Sequence, residues 1–509
     1  MHRLVDAFRN LFAPNLLTRI VAVTAALAVL GAAAWFGWGF LHPDTSCAEG
    51  VEKTGPEQEC VGVSGDGFVF GNEELRKVGE AIARENATLE PGTYATVAVM
   101  MPFLSDDPTR RPTIVHAVQG AFLQQYRANH ESNGERPPIR LVLANTGKES
   151  VYWKPVVDRL VAMAEGPDHL RAVTGVSTSG QTTKDAVTAL TGKHVPVVGT
   201  TITADDIANS ERQEPFPGLA RVVPTNRDEA RALTHFGRTD PRKSLLVHDR
   251  NPDDRYARTL RDVFDRLLAD SPYQPQPIDS TDAGSTASTA RQIALFVCGA
   301  KDAENVFFAG RHTQLREFVN ALSARPCQDR PVTVLTGDEG SYLGSDARLD
   351  RNAVKHKVTV RYTALAHPDA WRGAPAPAAG GSRNAYDTFA RLAAKGDDLG
   401  IGTLARGDLT DGQAIVAYDA MATAVQGIRT PDPGHVPRLV SVANEWPRLM
   451  GPQRVEGAGG WICLDVHGNP YNKAVPVMEL SADGTPVFVR ISWPEGRPPT
   501  DCIPPKESG

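Results

Sequence analysis

The stretch AVTGVSTSGQTTKDAVTALTGKHVPVVGTTIT, residues 172–203, reads as a buried strand, a hydroxyl-rich turn, a helix, a second strand and a second hydroxyl-rich turn. The apolar, β-branched runs at 172–176 and 195–198 suit parallel strands covered on both faces. In an α/β sheet such strands aim the loops at their carboxyl ends toward one crevice. Here those loops offer Ser177, Thr178, Ser179, Thr200, Thr201 and Thr203. The helix opening near Gln181 adds backbone N–H groups, where an anion is favoured. Helix capping accounts for any single one of these hydroxyls; two such turns at successive strand ends predict a cradle for a small molecule.

Outward from the cradle, strands at 96–101 and 139–145 alternate with helices at 113–129 and 155–165. After Val223-Pro224 a second series begins, with a helix at 228–236, a strand at 244–248, a helix at 254–269 and an extended stretch near Tyr273. A helix ending at Cys298 and strands at 305–309 and 332–336 complete it. Each alternation predicts a parallel sheet with helices on both faces, and so one lobe. The segment 358–362 then leads through a Pro/Gly/Ala loop, 373–381, into helices at 385–394 and 412–428. The Pro-rich stretch 430–437 marks a boundary, and a β-rich region, 461–502, follows with turn signals at His467-Gly468-Asn469 and Asp483-Gly484.

The 509-residue chain is 41% apolar, enough for a large core in two or three packed units. A formal net charge of -6 and a pI near 6.1 argue against nucleic acid as the main partner, because phosphate binding needs a basic stripe. Abundant Ala, Arg, Gly and Pro with little Lys fit a GC-rich bacterial genome such as an actinobacterium's. Residues 20–41, IVAVTAALAVLGAAAWFGWGFL, carry no charge. At about 1.5 Å per residue they span roughly 33 Å, against a bilayer core of about 30 Å. Arg3, Arg9 and Arg19 precede this span and Asp44, Glu49 and Glu52 follow it. The positive-inside bias therefore predicts a cytoplasmic tail over 1–19, a single membrane anchor over 20–41, and an extracellular bulk. A cleaved leader competes, since Ala32-Ala33-Ala34 resembles a cleavage site; Trp35, Phe36, Trp38 and Phe40 suit an interfacial belt better than a free terminus. Lipidation at Cys47 is discounted, because Asp44 stands where an attachment box places an aliphatic residue.

All six cysteines follow the anchor, in the compartment where oxidation is permitted. Six allow fifteen pairings; proximity suggests Cys47 with Cys60, Cys298 with Cys327, and Cys463 with Cys502. The middle pair is the most persuasive, with Cys298 ending one helix and Cys327 the next. No Cys or His spacing suggests zinc, and no metal or cofactor is expected.

The motifs GVSTSG (175–180), VPVVGTTIT (195–203), ARVVPTNRDEARAL (220–233), LLVHDR (245–250), VFFAGR (306–311), VTVLTGDEG (332–340) and AIVAYDAMATAVQGI (414–428) are individually unspecific. In their order and spacing the chain resembles the type I periplasmic solute-binding family, in the branch of amino-acid-binding proteins of ABC importers and receptor ligand-binding domains. The resemblance covers roughly 96–489. It implies an α/β fold of two Rossmann-like lobes with parallel sheets, joined by three crossover strands, with ligand trapped as the lobes hinge shut. Lobe one would hold 95–223 plus 362–429, lobe two 224–361 plus 430–509, and 42–94 would form a membrane-proximal, disulfide-containing segment, either a spacer or a docking site. In such relatives a ligand carboxylate meets hydroxyls and amides of lobe one, which map onto Thr178, Ser179, Ile202 and Thr203. An acidic residue of lobe two meets the ligand ammonium, which maps onto Glu339 with Asp338 beside it. Departures bear on the ligand. Asn226 stands where relatives carry an acid just after the first crossing. Asp253 stands where a tyrosine is usual, with Tyr256 close by. Arg311 replaces an aromatic, and its guanidinium suits a carboxylate or phosphate when it is not spent on a salt bridge.

Catalysis is not expected. GVSTS lacks the final glycine of a GxSxG elbow, Gly147-Lys148 and Gly192-Lys193 lack the rest of a phosphate loop, and His248-Asp249 suits a strand end. The sequence therefore predicts a membrane-tethered solute-binding protein that takes a small polar ligand, an amino acid or organic anion, and passes it to an ABC permease. A ligand-sensing or assembly protein signalling through a membrane partner is the alternative.

Overall fold

The computed structural model describes residues 46–505 apart from 212, 238, 374–378 and 482. The tail and anchor expected over 1–41 lie outside the described residues. Among the described residues no helix is long and apolar enough to cross a membrane.

Lobe one is built on an eight-stranded sheet. In chain order its strands are β1 (Ser46–Ala48), β2 (Val51–Thr54), β3 (Glu59–Ser64), β4 (Ala95–Met101), β5 (Ile139–Asn145), β6 (Leu170–Val176), β7 (Val197–Gly199) and β8 (Leu219–Arg221); in space they run β1-β2-β3-β5-β4-β6-β7-β8. Strands β4 to β8 are parallel. The run ATVAVMM of β4 is buried at every position, as a central strand covered on both faces must be. Its alternate residues serve two cores: Val97, Val99 and Met101 face helices Arg111–His130 and Gln413–Arg429, while Ala98 and Met100 face helices Trp153–Glu165 and Gln181–Gly192. The first pair of helices meets at Gly120. A Cβ there would stand 2.8 Å from the Ala414 carbonyl carbon and nearer still to its oxygen, so only glycine allows the contact.

Lobe two has its own sheet, made of β9 (Ser244–Asp249), β10 (Gln276–Ile278), β11 (Asn305–Ala309), β12 (Val332–Thr336) and β13 (Val358–Thr363). After a small hairpin, β14 (Val455–Gly457) and β15 (Gly460–Ile462), it is completed by β16 (Val475–Leu480) and β17 (Pro486–Ser492). The order is β10-β9-β11-β12-β13-β16-β17, parallel through β13 and antiparallel at the last two strands. Alternation again divides two cores, with Val306 and Phe308 of β11 on one face and Phe307 and Ala309 on the other.

Three boundaries differ from the sequence expectation. The described part of 42–94 is not a separate segment: β3 pairs antiparallel with β5 and extends the lobe-one sheet. Beyond that pairing, the Asn86 side chain stands in for a further strand residue. Its Nδ2 donates to the Leu141 carbonyl (2.7 Å) and its Oδ1 accepts from the Leu141 N–H (3.1 Å). Helix Arg76–Asn86 buries Val78 and Ile82 in the same core.

Second, 430–509 does not go over to lobe two as a block. Trp446, Val455, Ile462 and Leu464 join the lobe-one core, and only β16 and β17 enter the second sheet. The hairpin β14–β15 is clamped by two buried charges. Asp419 accepts from the Ala458 and Gly459 N–H groups (2.6 and 2.9 Å), and Lys473 Nζ donates to the Gly459 and Gly460 carbonyls (3.0 and 2.8 Å). Burial pushes the Asp419 carboxyl up to about 6 and the Lys473 amine down to about 8.

Third, among the described residues the chain passes between lobes four times, where the resemblance implies three. The crossings fall between Val223 and Asn226, Ala364 and Leu365, Ala474 and Val475, and Ser492 and Trp493. The fourth arises because Trp493 returns to the lobe-one core and Cys502 is bonded to Cys463. The other disulfides are Cys47–Cys60 and Cys298–Cys327; Cys327 lies in the turn beyond helix His312–Ser323, not at its end. The turn at Asp483-Gly484 joins β16 to β17, while His467-Gly468-Asn469 turns outside any named strand, between the bridged residues Leu464 and Pro470, with the Asp465 N–H donating to the Asn469 carbonyl (2.8 Å) and the Gly468 N–H to the Asp465 carbonyl (3.1 Å).

Candidate functional site

The carboxyl ends of both sheets face a cavity of about 120 Å³ between the lobes, close to the roughly 150 Å³ of an engineered cavity that admits one benzene. On the lobe-one side, β6 ends in a turn that only its own residues permit. At Gly175 φ is +76°, and a Cβ would lie 2.6 Å from Val99 Cγ1. Thr178 is left-handed at φ +62°, an uncommon conformation that a β-branched residue holds only when its surroundings enforce it. The Thr183 hydroxyl supplies part of that enforcement by donating to the Thr178 carbonyl (2.6 Å). Ser177, Thr178, Thr201 and Thr203 then line the cavity.

The other hydroxyls hold the turns together. Thr200 Oγ1 accepts from the Gly175 N–H (2.8 Å). Ser179 Oγ accepts from the Thr203 and Ala204 N–H groups (3.1 and 3.2 Å), locking the two cradle turns to each other. Ser179 touches the cavity, but its oxygen is committed to these amides. Ile202, expected to offer an amide to ligand, turns its side chain into the lobe-one core and is absent from the lining.

On the lobe-two side the expected charges divide into a spent set and a free one. Arg311 binds Asp254 through two bonds (Nε 2.7 Å, Nη2 2.8 Å), Glu339 Oε1 (2.8 Å) and the Ser179 carbonyl across the cleft (3.2 Å), and lies over the Tyr256 ring. It is an interlobe bolt, the salt-bridge role, and not an open anion site. Glu339 also receives Arg110 (3.3 Å), the His312 N–H (3.1 Å) and His312 Nδ1 (2.8 Å). Burial opposes its ionisation, but Arg110, Arg311 and His312 outweigh burial and hold the carboxyl well below the usual range. Glu339 therefore has no capacity left for a ligand ammonium.

Asp338 does. Asp338 lines the cavity and its Oδ1 is buried without a hydrogen-bond partner, a costly state for a charged oxygen that the Tyr256 hydroxyl, bonded to the same carboxyl, offsets only in part. Burial first, and then the neighbouring Glu339 charge, push its carboxyl up to about 7. Behind it, Glu229 Oε2 accepts from the Asp338 N–H (3.0 Å) and from the Thr363 hydroxyl. Burial and the Asp338 charge push Glu229 up as well.

Two expected site residues lie elsewhere. Asn226 is fully buried at the first crossing, where its Nδ2 donates to the Tyr256 carbonyl (2.9 Å) and Thr259 Oγ1 (2.8 Å), and its N–H to the Thr203 carbonyl (2.7 Å). Asp253 is exposed, its N–H bonded to Asn251 Oδ1 (3.0 Å). Its neighbour Asp254 caps helix Arg255–Leu267 and clamps Arg311, and Tyr256, just inside that helix, supplies the aromatic wall. Arg110 and Tyr342 also line the cavity. Neither carries a local sequence signal, since each reaches the site from a loop or short helix whose position depends on the folded lobes. Met101, Leu104 and Ile114 make the remaining wall apolar. Among the described residues no cluster of three or more His, Cys, Asp or Glu could hold a metal.

Solved structures share this architecture. A leucine-binding protein of Thermotoga maritima matches with a TM-score of 0.55 at 16% identity, over 79% of this chain and 99% of its own. An ABC transporter substrate-binding protein of Desulfitobacterium hafniense in complex with Leu matches at 0.57 and 16%, over 78% and 100%. A solute-binding protein of an ABC transporter from Rhodopseudomonas palustris HaA2, in complex with p-hydroxybenzoic acid, matches at 0.57 and 12%, over 80% and 98%. No protein-family model and no curated protein matches the chain. At such identities the likeness speaks to architecture alone: the chain has a mixed α/β fold with parallel sheets, similar to that of the type I periplasmic solute-binding proteins.

Proposed function

We propose that this protein is an extracytoplasmic solute-binding protein that captures one small polar ligand between its lobes for ABC-type uptake. The observation that carries this reading is the pairing of an unpartnered Asp338 oxygen on one wall with the Thr178, Thr201 and Thr203 side chains on the other. A ligand with an ammonium or other donor group would meet Asp338, and its polar remainder would meet the hydroxyls. A compact apolar portion would lie against Met101, Leu104 and Tyr342. The charge-free span at 20–41 would tether the protein to the cell membrane with residues from 42 onward outside. Three disulfides support that placement, because they persist in oxidising compartments.

The test is a thermal-shift screen of the full chain in detergent against amino acids, amines, aromatic acids and organic anions, followed by calorimetry on any hit. A micromolar ligand corresponds to about 8 kcal/mol of binding free energy. Binding weakened at least tenfold by both Asp338→Asn and Thr178→Ala supports the reading. If no compound gives saturable stabilisation, uptake is refuted and the sensing or assembly alternative takes its place.

A further inference from the structure

We propose that His312 is a proton-operated latch between the two lobes, so that closure takes up a proton and weakens as the surroundings become alkaline. The inference rests on the two-lobe architecture and not on the identity of the ligand. His312 opens helix His312–Ser323 of lobe two and is 1% exposed. Its Nδ1 lies 2.8 Å from Glu339 Oε2 in its own lobe, and its Nε2 lies 2.6 Å from Asp107 Oδ2 in lobe one. A neutral imidazole carries one N–H, whereas the imidazolium carries two. With a carboxylate oxygen at each ring nitrogen, the closed arrangement is satisfied only by the charged ring. A neutral ring would turn a lone pair toward Asp107 or Glu339.

The surrounding charges agree. From lobe one, His312 faces Asp107, the Thr109 hydroxyl (3.2 Å) and Arg110; from lobe two it faces Glu339 and the Tyr342 ring, with Arg311 adjacent in sequence. Among the carboxylates bonded into this network, Asp107, Glu339 and Asp254 are matched by Arg110, Arg311 and a protonated His312; Asp338, next to Glu339, makes no ion pair with these cations and is kept neutral by burial until about pH 7. Removing the ring proton leaves this largely buried network with an uncompensated negative charge, the costly case for a buried ion cluster. Parting the lobes takes away both Asp107, which is bonded to the ring, and Arg110, whose charge opposes the ring proton; the bonded carboxylate is the stronger of the two, and Glu339 stays with its own lobe. The closed form therefore holds the proton more tightly than the open form.

Burial opposes the charged ring, but Asp107 and Glu339 outweigh it and raise the His312 pKa above its ordinary 6.5. The latch is thus fully engaged below the open-state pKa and is lost as pH rises through the higher closed-state pKa. Between the two values the closed-to-open ratio falls by up to about tenfold per pH unit.

The experiment measures the interlobe distance by electron–electron resonance in the full, ligand-free chain, with spin labels at Lys154→Cys in lobe one and Asp253→Cys in lobe two. Both positions are exposed, and no described cysteine is free to compete for label. The expected result is a short-distance population that dominates at pH 6 and declines toward pH 9, with the decline abolished in His312→Gln. Asp107→Asn, which lets a neutral ring bond to both neighbours, is the second variant and should also lose the pH response. Distances that do not change between pH 6 and 9, or a decline that persists in either variant, would overturn the latch. Neither result touches the ligand assignment, which the binding screen tests separately.

Discussion

Replacing Asp338 with Asn should make the ligand-free protein more stable in alkaline buffer and less stable in acid. The Asp338 carboxyl is displaced from its ordinary 3.8 to about 7, which at about 1.36 kcal/mol per pH unit corresponds to roughly 4 kcal/mol. The sign follows from linkage. An acid whose folded pKa is raised costs no stability below its unfolded pKa; the cost grows as pH rises toward the folded pKa and is complete above it. Asn removes that cost but sets an amide where a carboxyl stood, leaving donors unmet at about 1–3 kcal/mol. The variant should therefore gain about 1–3 kcal/mol at pH 8.5 and lose a similar or smaller amount at pH 4, with the sign changing between about pH 4.5 and 6. Glu229 acts in the same direction, because its own upward shift is caused in part by the Asp338 charge. Urea unfolding of both proteins at pH 4, 5.5, 7 and 8.5, followed by fluorescence, measures the difference. A stability difference that is flat across this range would show that Asp338 is not the strained carboxyl described here, and the ligand-facing role argued for it would fall with it.

Gly120→Val should cost about 3 kcal/mol or more, since it forces side-chain atoms into the Ala414 backbone across the central helix pair; a variant with wild-type urea midpoint would contradict that packing. Lys473→Met should lose about 3–5 kcal/mol at pH 7, where both groups of the wild-type pair are charged and Asp419 is left buried without its cation. The loss should shrink at pH 5, below the folded pKa of Asp419 near 6, and a loss equal at both pH values would show that the charge clamp does not hold the hairpin.

Much of the fold was legible because the parallel strands announce themselves. Strands at 139–145, 305–309 and 332–336 coincide with β5, β11 and β12, each an apolar run ending at a polar residue or glycine. The attachment of the edge strands β1 to β3 to the lobe-one sheet was not legible, because it depends on β3 pairing with β5, some eighty residues further along the chain. The cradle turns were readable as a pair, yet not which hydroxyl faces inward. Ser179 is committed to the amides at 203 and 204, a bond no local pattern encodes. The charged wall shows the same limit more sharply. Sequence could name Arg311 and Glu339, but their partners come from 254, 179, 110 and 312, which only the folded lobes bring together. Asp253 lies outside the cavity because the turn at 251–254 gives the helix-capping position to Asp254 and the inward-facing one to Tyr256 beyond it.

The return of the tail to lobe one has a mechanical consequence. Ser492 ends a strand of the second sheet and Trp493, the next residue, is packed in the first core, so one peptide joins two bodies with no slack. With three other short crossings beside it, sliding one half past the other would strain all four at once. Rotation about these crossings is the freedom that remains, and the four short connections serve as the axle of the molecule.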